Sequence, residues 1–341
     1  MNAADAEVTA DALPSRVDVA VIGGGPAGAS AASALARLGA RVALVDRGVV
    51  GSPRGESLPP AATPLLQDLG VWADPHGQGH RRTPGVRSLW GGPPAEVDFV
   101  RQPYGTGWQL DRPRFDAHLV RTARAAGAIW CGQTQVTEVT RVAGGPWRLA
   151  LARPDGTRDL AASVLVDASG RARRIARGLG ARVVAYDRLV ATVGTYPPCP
   201  PSAAEADRRT LVEAVPEGWW SAAPLPDGRL VVAHLSDADL AARHGARTRV
   251  GWEALLRRTT EIGGRVAAHG GWLEEGPRPV SADSSRLEGA GGVAWWAVGD
   301  AAAAHDPLSS QGLMRALEAG MRSARVIAGL DVIDHFIFPG S

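Results

Sequence analysis

The chain has 341 residues, which is enough for about two domains and a sizeable hydrophobic core. Hydrophobic residues make up 45% of it and charged residues 21%, as in an ordinary globular protein that folds in water. The net charge of +2 is too small to indicate nucleic acid or an acidic membrane surface as a partner, so we expect neither. All 37 basic residues are arginines, which excludes chemistry that depends on lysine.

The start of the chain and the cysteines bear on location. Residues 1–15 are polar and acidic, without the order of a signal peptide, and predict a disordered leader. No apolar run reaches the roughly 18 residues that a membrane helix requires. Cys131 and Cys199 are too few for a disulfide framework and fit reduced thiols. We therefore expect a cytoplasmic protein without a membrane partner.

The first predicted element is a buried strand that ends in a glycine-rich turn. Residues 17–22 form a short run rich in valine, typical of a strand buried on both faces. Gly23, Gly25 and Gly28 then match G-x-G-x-x-G, and a helix is predicted over 27–38. Such glycines permit a tight turn, let backbone N–H groups approach a pyrophosphate and let the helix pack on the strand.

The second predicted strand, over 41–46, ends on an acidic residue. Asp46 lies 23 positions after Gly23, where a carboxylate can accept a hydrogen bond from a ribose hydroxyl. The N-terminus of the predicted helix adds partial positive charge for phosphates. Taken together, these features predict a dinucleotide-binding unit rather than a glycine-rich turn of another kind.

The chain then leaves this first unit. A loop punctuated by proline and glycine over 51–60 precedes a short helix over 61–69. Residues 71–106 are rich in glycine, proline and tryptophan, with short extended pieces at 86–90 and 96–101. We interpret this region as an excursion into a second domain.

The middle of the chain returns to the first domain. A helix is predicted over 112–126, with Asp111 as its N-terminal cap. A strand over 147–152 leads into a hairpin turn at 154–156. Residues 164–167 form another apolar run that ends on an acid, and they predict a further buried strand.

Residues 183–285 have a different texture. Strand-like pieces at 189–195, 211–214 and 230–234 lie among prolines, with one predicted helix over 250–258. We interpret this region as the sheet of a substrate domain.

The last part of the chain holds the second strong motif. A buried strand ends at Gly299-Asp300, so Asp300 is expected at the carboxyl edge of the sheet, where such folds bind ligands. A helix over 311–330 follows, and its free N–H groups near Gly312 are aimed back at that edge. The residues predicted to face the core are Met314, Leu317, Met321, Ala324 and Ala328.

These motifs in this order resemble flavoproteins of the p-hydroxybenzoate hydroxylase fold, a group that holds aromatic monooxygenases, geranylgeranyl reductases and tryptophan halogenases. The resemblance covers roughly residues 16–330. Its motifs are the glycine turn at 23–28, Arg112-x-x-Phe115-Asp116-x-x-Leu119, Asp167-Ala-Ser-Gly170, and Gly299-Asp300 through Pro307 to Gly312. It implies an α/β protein in which an FAD-binding Rossmann-like domain of the GR2 type is interleaved with an antiparallel β-sheet substrate domain.

The expected division of the chain follows from that resemblance. The FAD-binding domain is expected over 16–70, 107–182 and 286–330, and the substrate domain over 71–106 and 183–285. The remaining residues, 331–341, are expected to be a tail in place of a longer C-terminal region.

The resemblance also implies site residues. The glycine turn and Asp46 would hold the ADP half of FAD, Arg112 its diphosphate region, and Asp300 the ribityl chain or diphosphate. The helix at Gly312 would face N1 and C2=O of the flavin and favour the anionic reduced form. The expected cofactor-binding residues are Gly23, Gly25, Gly28, Asp46, Arg54, Arg112, Val136 (through its backbone, beside the adenine), Asp167, Gly299, Asp300, Pro307 and Gly312.

The activity implied is that of an FAD-dependent oxidoreductase, and we favour monooxygenation, in which a flavin C4a-hydroperoxide delivers one oxygen atom to the substrate. The substrate would be a small aromatic molecule or a peptide or protein. The electron donor would be NAD(P)H or a flavin reductase, and no second glycine fingerprint indicates a separate NAD(P)H domain. The alternatives are a halogenase-like or reductase enzyme and a non-catalytic flavoprotein that acts as a maturation partner.

Within the group, Gly55-Glu56-Ser57 and the segment 306–312 are most similar to the halogenase branch and to its relatives that mature quinone cofactors of amine and amino-acid oxidases. Three differences disfavour halogenation. The lysine that halogenases place beside the substrate is absent, and Ser309 stands where they have a glutamate. Their W-x-W-x-I-P motif is reduced to Trp219 and Pro224.

Other polar residues allow two interpretations each. His305 is a candidate general acid or base near the flavin, or else a structural histidine of the loop. Arg54 and Glu56 either shape the flavin pocket or pair with each other. The acids and histidines elsewhere show no metal-binding spacing, so we expect no metal.

Overall fold

The structure is a computed structural model that describes residues 13–48, 56–71, 79–199 and 207–329. The predictions made for most of the leader, for Arg54 and for the tail lie outside the described residues.

Within those ranges the chain forms both strands and helices. The strands are β1 Arg16–Ile22, β2 Val42–Val45, β3 Glu56–Leu58, β4 Arg81–Thr83, β5 Gly85–Leu89, β6 Ala95–Asp98, β7 Gly107–Leu110, β8 Ile129–Cys131, β9 Gln135–Arg141, β10 Trp147–Arg153, β11 Gly156–Asp167, β12 Val183–Ala185, β13 Leu189–Tyr196, β14 Thr210–Val215, β15 Gly218–Pro224, β16 Leu230–Asp237, β17 Glu275–Ser281, β18 Ser285–Leu287, β19 Gly291–Gly292, β20 Trp295–Ala297 and β21 Ala303–Ala304. The helices are α1 Pro26–Arg37, α2 Thr63–Asp68, α3 Arg112–Ala125, α4 Arg174–Gly178, α5 Ala238–Arg243, α6 Arg249–Leu256, α7 Glu261–Ala268 and α8 Gly312–Ile327.

The first sheet is built around β1. Strand β1 pairs in parallel with β2 on one side and with β11 on the other, and β20 extends the parallel part beyond β11. Strand β11 is long enough to continue into an antiparallel meander with β10 and β9. The carboxyl ends of β1, β2, β11 and β20 therefore meet at one edge, where α/β folds bind ligands.

Both faces of this sheet are covered, as the valine-rich sequence of β1 predicts. Val19 and Val21 belong to the core beneath the helices, together with Phe115 of α3. Ala20 and Ile22 belong to the opposite core, which the β10–β11 hairpin closes. Burial on both faces explains why the strand has no alternation of polar and apolar residues.

Helix α8 packs directly on α1. A Cβ added at Gly320 would come within 2.0 Å of the Ser30 Oγ and 2.3 Å of the Ala27 carbonyl oxygen, so the two backbones can approach this closely only at a glycine. The face of α8 that meets the core agrees with the predicted stripe at four positions, because Leu317 and Ala324 are buried and Met314 and Met321 pack against the same core. The buried residues include Leu313, Leu317 and Ala324, whereas Ala328 is exposed, and that part of the prediction is wrong.

The second large sheet has seven strands in the order β17-β13-β16-β15-β14-β5-β6. Its neighbours are antiparallel except for the parallel pair of β14 and β5. Helices α6 and α7 cover one face, where Trp252 packs edge-on against Trp220 and donates from Nε1 to the Tyr196 hydroxyl (2.8 Å).

Sequence reasoning missed β15, α5 and α7. Strand β15 begins with Gly218 and ends with Pro224, so it resembles a loop, and its pairing with β14 and β16 makes it a strand. Helix α7 contains two adjacent glycines, which disfavour helix formation. The buried carboxylate of Glu213 in β14 compensates, because it accepts hydrogen bonds from the backbone N–H groups of Glu261 (3.1 Å) and Ile262 (2.9 Å).

Two small three-stranded sheets complete the described part of the fold, and the predicted domain boundaries stay a prediction. Strand β4 pairs with β7 rather than with the seven-stranded sheet, and β12 pairs with β18. Pairing with distant strands decides such boundaries, and composition does not report it. Among the described residues, no helix is both long enough and apolar enough to cross a membrane.

Candidate cofactor-binding site

The three glycines after β1 serve two different purposes. Gly23 has φ +116°, and a Cβ there would lie 2.3 Å from the Ala168 carbonyl oxygen. A Cβ at Gly28 would lie 1.8 Å from the Gly23 carbonyl oxygen. Gly25, by contrast, has no described atom within 4 Å of its Cβ position. Gly23 and Gly28 are thus required by the fold, whereas Gly25 faces open space at the N-terminus of α1.

That open space fits the diphosphate of a dinucleotide. Gly25 precedes Pro26, the first residue of α1, so the unpaired N–H groups and positive end of the helix point into the space that Gly25 leaves clear. A side chain at this position would fill the cradle.

Asp46 holds the glycine turn as well as facing the site. Its Oδ2 accepts a hydrogen bond from the Gly24 N–H (2.6 Å), and its Oδ1 accepts one from the Gly48 N–H (2.7 Å). Its own carbonyl accepts from the Thr134 N–H (2.8 Å), which brings the β8–β9 connection alongside. A carboxylate has about four lone-pair sites, so a ribose hydroxyl can still donate to it.

Val136 follows that connection in β9. It pairs with Leu151 of β10, and its half-buried side chain packs against the core below the β10–β11 hairpin. The role of its backbone beside an adenine stays a prediction.

Asp167 has a structural role at the end of β11. It is fully buried, and both carboxylate oxygens accept hydrogen bonds from the chain itself. Oδ1 accepts from the N–H and hydroxyl of Ser169 (3.0 and 2.6 Å), and Oδ2 accepts from the N–H groups of Ile175 (3.1 Å) and Ala176 (2.8 Å). Asp167 therefore ties the end of β11 to α4, and its predicted role towards a cofactor stays a prediction.

Gly299 and Asp300 lie at the same edge, beside the start of α1. Gly299 has φ +58°, and its Cβ would lie 2.7 Å from the Ala27 Cβ, so glycine is required for both reasons. The Asp300 side chain remains 44% exposed. The pKa of Asp300 lies above its ordinary value, mainly because partial burial disfavours the carboxylate. Arg171 lowers the pKa and Glu56 raises it, and His305 and Arg173 lower it by less.

Two arginines after β11 were missed by the sequence analysis. Arg173 is almost fully buried and donates to the carbonyls of Ala301 (3.1 Å) and Ser285 (3.0 Å). Arg171 lies between Asp300, Asp283 and the His305 carbonyl. A sequence signal was present, since both residues lie within three positions after the Asp167-Ala-Ser-Gly170 motif, but the groups they contact lie more than 100 residues away in the chain.

Arg112 lies at the start of α3, where Asp111 caps the helix by accepting from the Arg114 N–H (3.1 Å). Its guanidinium is paired with Glu56 and with Asp116 (3.1 Å). Burial lowers the pKa of Arg112, but these two carboxylates outweigh burial and raise the pKa above its usual value. Glu56 thus pairs with Arg112, and Arg54 lies outside the described residues.

The loop before α8 carries the remaining candidates. Pro307 opens a 3-10 turn that Asp306 caps by accepting from the Leu308 N–H (2.8 Å). Gly312 then begins α8, and no described atom lies within 4 Å of its Cβ position. Burial lowers the pKa of His305, Arg315 lowers it further, Asp300 raises it and Arg171 lowers it. The net shift of the pKa is downward, which favours the neutral form of the His305 imidazole.

An open glycine at a helix N-terminus, an acid directly after the second parallel strand and a second acid shortly after β20 are the features of a dinucleotide-binding fold. The chain belongs to the FAD binding domain family, which matches residues 16–328. The chain is therefore an FAD-dependent oxidoreductase of the halogenase and monooxygenase group, as the motifs predicted.

Individual relatives agree with this assignment. LodB of Marinomonas mediterranea, whose name describes an FAD-dependent oxidoreductase, is 30% identical over 91% of this chain and 84% of its own length. Tryptophan 2-halogenase of Chondromyces crocatus is 29% identical over 93% of this chain and 62% of its own length. The structure of the myxobacterial chondrochloren halogenase CndH superposes with a TM-score of 0.82 at 25% identity, over 94% of this chain and 77% of that one.

Proposed function

We propose that the protein is a monooxygenase that transfers one oxygen atom from O2 to an aromatic or peptide-borne substrate. The observation that carries the choice within its group is the complete absence of lysine, the residue that the halogenase pattern places beside the substrate. The serine at position 309, where that pattern has a glutamate, points the same way.

FAD supplies the redox and oxygen chemistry when it is bound, and the chain positions and shields it. In the proposed arrangement, Gly25 and the α1 N-terminus hold the diphosphate, Asp46 holds the ribose, and Asp300 holds the ribityl chain. The N-terminus of α8 stabilises negative charge on the flavin ring. We assign to the neutral imidazole of His305 the role of accepting a proton from a substrate hydroxyl.

The electron donor is proposed to be NAD(P)H or a separate flavin reductase. The chain has only one G-x-G-x-x-G turn, which the FAD site uses, so a nicotinamide nucleotide would bind without a Rossmann domain of its own. We also propose that the chain is divided into an FAD-binding part and a substrate-binding part. The glycine turn places FAD at the first sheet, so the seven-stranded sheet is assigned to the substrate.

An oxygen-labelling experiment tests the reaction type. The protein is supplied with FAD, a flavin reductase, NADH and 18O2, and it is offered phenol, indole and a tyrosine-containing peptide. We expect one 18O atom in any oxidised product. A product that carries unlabelled oxygen would indicate a different reaction, and a protein that binds FAD but yields no oxidised product would support the non-catalytic alternative.

Halogenation is the second candidate, because the tryptophan 2-halogenase and CndH are among the similar proteins. We expect no halogenated product from reduced FAD, O2, chloride or bromide and indole, since the chain lacks the lysine and glutamate of that chemistry. Mass spectrometry of the reaction mixture provides the measurement. A brominated or chlorinated indole would show that another residue replaces the lysine and would overturn the proposal.

A further inference from the structure

We propose that Arg171 is the positioning residue of the cofactor site, which fixes Asp300 relative to the sheet on which we place the substrate. The proposal rests on the FAD-binding part of the proposed function and names a residue that no motif of the sequence analysis included.

The geometry of Arg171 supports this role. Each of its three guanidinium nitrogens meets a different group: Nη1 donates to the carbonyl and Oδ1 (3.3 Å) of Asp283, Nη2 donates to the His305 carbonyl (3.2 Å), and Nε lies 3.7 Å from Asp300 Oδ2. A guanidinium is planar and its donors are rigidly arranged. Three contacts of this kind therefore fix three chain segments relative to one another.

Those segments belong to both large sheets. Asp283 follows β17, at the edge of the seven-stranded sheet, and Arg171 itself follows β11 of the first sheet. Asp300 and His305 belong to the segment between β20 and α8. Ala282, the neighbour of Asp283 in the chain, belongs to an apolar cluster of that sheet, and the partly buried side chains of Leu189 and Trp219 pack against this cluster. Arg171 thus joins the cofactor loop to the sheet on which we place the substrate.

The charges around Asp300 determine what the loss of Arg171 would do. Arg171, His305 and Arg173 favour its carboxylate, whereas Glu56 and burial favour the protonated acid. A carboxylate accepts hydrogen bonds from cofactor hydroxyls more strongly than a carboxylic acid does. Removing the positive charge of Arg171 raises the pKa of Asp300 further, so the loss of FAD affinity on acidification begins at a higher pH.

The test measures FAD dissociation constants of the apoprotein between pH 5 and 9 by quenching of FAD fluorescence, and it needs no turnover. We expect Arg171→Gln to move the midpoint of the pH profile upward by about one unit, since an opposite charge this close lowers a carboxyl pKa by about 1–3 units. Near the midpoint this amounts to up to about tenfold weaker binding. Arg171→Lys keeps the charge, so its midpoint returns towards that of the wild type.

Two controls separate this role from a merely structural one. Arg174→Gln removes the same charge from the same segment at an exposed position, and it should leave the midpoint unchanged. In an Asp300→Asn background, Arg171→Gln should no longer shift the midpoint. If Arg171→Gln weakens FAD binding equally at every pH, or if its shift persists without Asp300, the proposal is wrong, although the FAD site itself would stand.

Discussion

Gly25→Val is expected to abolish FAD binding while the protein remains folded. The Cβ position of Gly25 has no described atom within 4 Å, so the new side chain meets no protein and enters the space proposed for the diphosphate. It would remove the close approach to the backbone N–H groups at the start of α1. If two charge-assisted hydrogen bonds of about 1.5–3 kcal/mol each are lost, affinity falls by at least about 100-fold.

The measurement is FAD occupancy of the purified protein by absorbance, followed by titration of the apoprotein with FAD. Gly264→Val is a matched control, because Gly264 lies in α7, also has no described atom within 4 Å of its Cβ position, and is remote from the first sheet in the fold. Gly28 is unsuitable for this purpose, since a Cβ there would lie 1.8 Å from the Gly23 carbonyl oxygen and would disturb the turn. Wild-type FAD occupancy in Gly25→Val would show that the diphosphate binds elsewhere.

Gly312→Val is expected to change the redox behaviour of the flavin rather than its binding. The Gln311 side chain accepts a hydrogen bond from Arg315 (3.0 Å) instead of capping the N-terminus of α8, so the first N–H groups of that helix are available to a ligand. A valine side chain would hold the flavin ring away from these donors. The helix end would then stabilise the anionic reduced flavin less.

The size of that effect follows from measured terminus effects, which run from about 0.3 to about 2 kcal/mol. Losing about 1 kcal/mol lowers the potential of a two-electron couple by about 20 mV and raises the pKa of the reduced flavin by somewhat less than one unit. O2-dependent turnover should slow, while binding through the ADP half persists. A redox titration beside an FAD-binding titration makes the measurement.

Asp300→Ala provides the contrasting variant. It removes a contact to the polar chain of the cofactor, so we expect weaker FAD binding, whereas Gly312→Val should leave the dissociation constant near that of the wild type. A wild-type potential in Gly312→Val would mean that α8 does not face the flavin ring, and the proposed position of the ring would then be wrong.

The sequence by itself determined the elements whose signals are local. A valine-rich run bounded by glycines predicts β1 and the turn after it, and Asp111 predicts the start of α3, because a side chain that caps a helix acts within a few residues. The spacing from Gly23 to Asp46, together with the glycine turn, was sufficient for a dinucleotide site, since the βαβ unit that builds it spans only about 30 residues.

Only the tertiary structure decided which polar residues stay exposed at the edge of the first sheet and which hold the protein together. In the sequence, Asp167 and Asp300 each stand at the end of an apolar run that predicts a buried strand. In the structure Asp167 is fully buried and accepts hydrogen bonds from α4, whereas the Asp300 side chain remains partly exposed. The His305 carbonyl that Arg171 contacts lies more than 130 residues away in the chain. Glu213, which caps α7 and so stabilises a helix that contains two adjacent glycines, lies about 50 residues before the N–H group it accepts from. Such contacts depend on how distant strands pair, and no local pattern of residues records that.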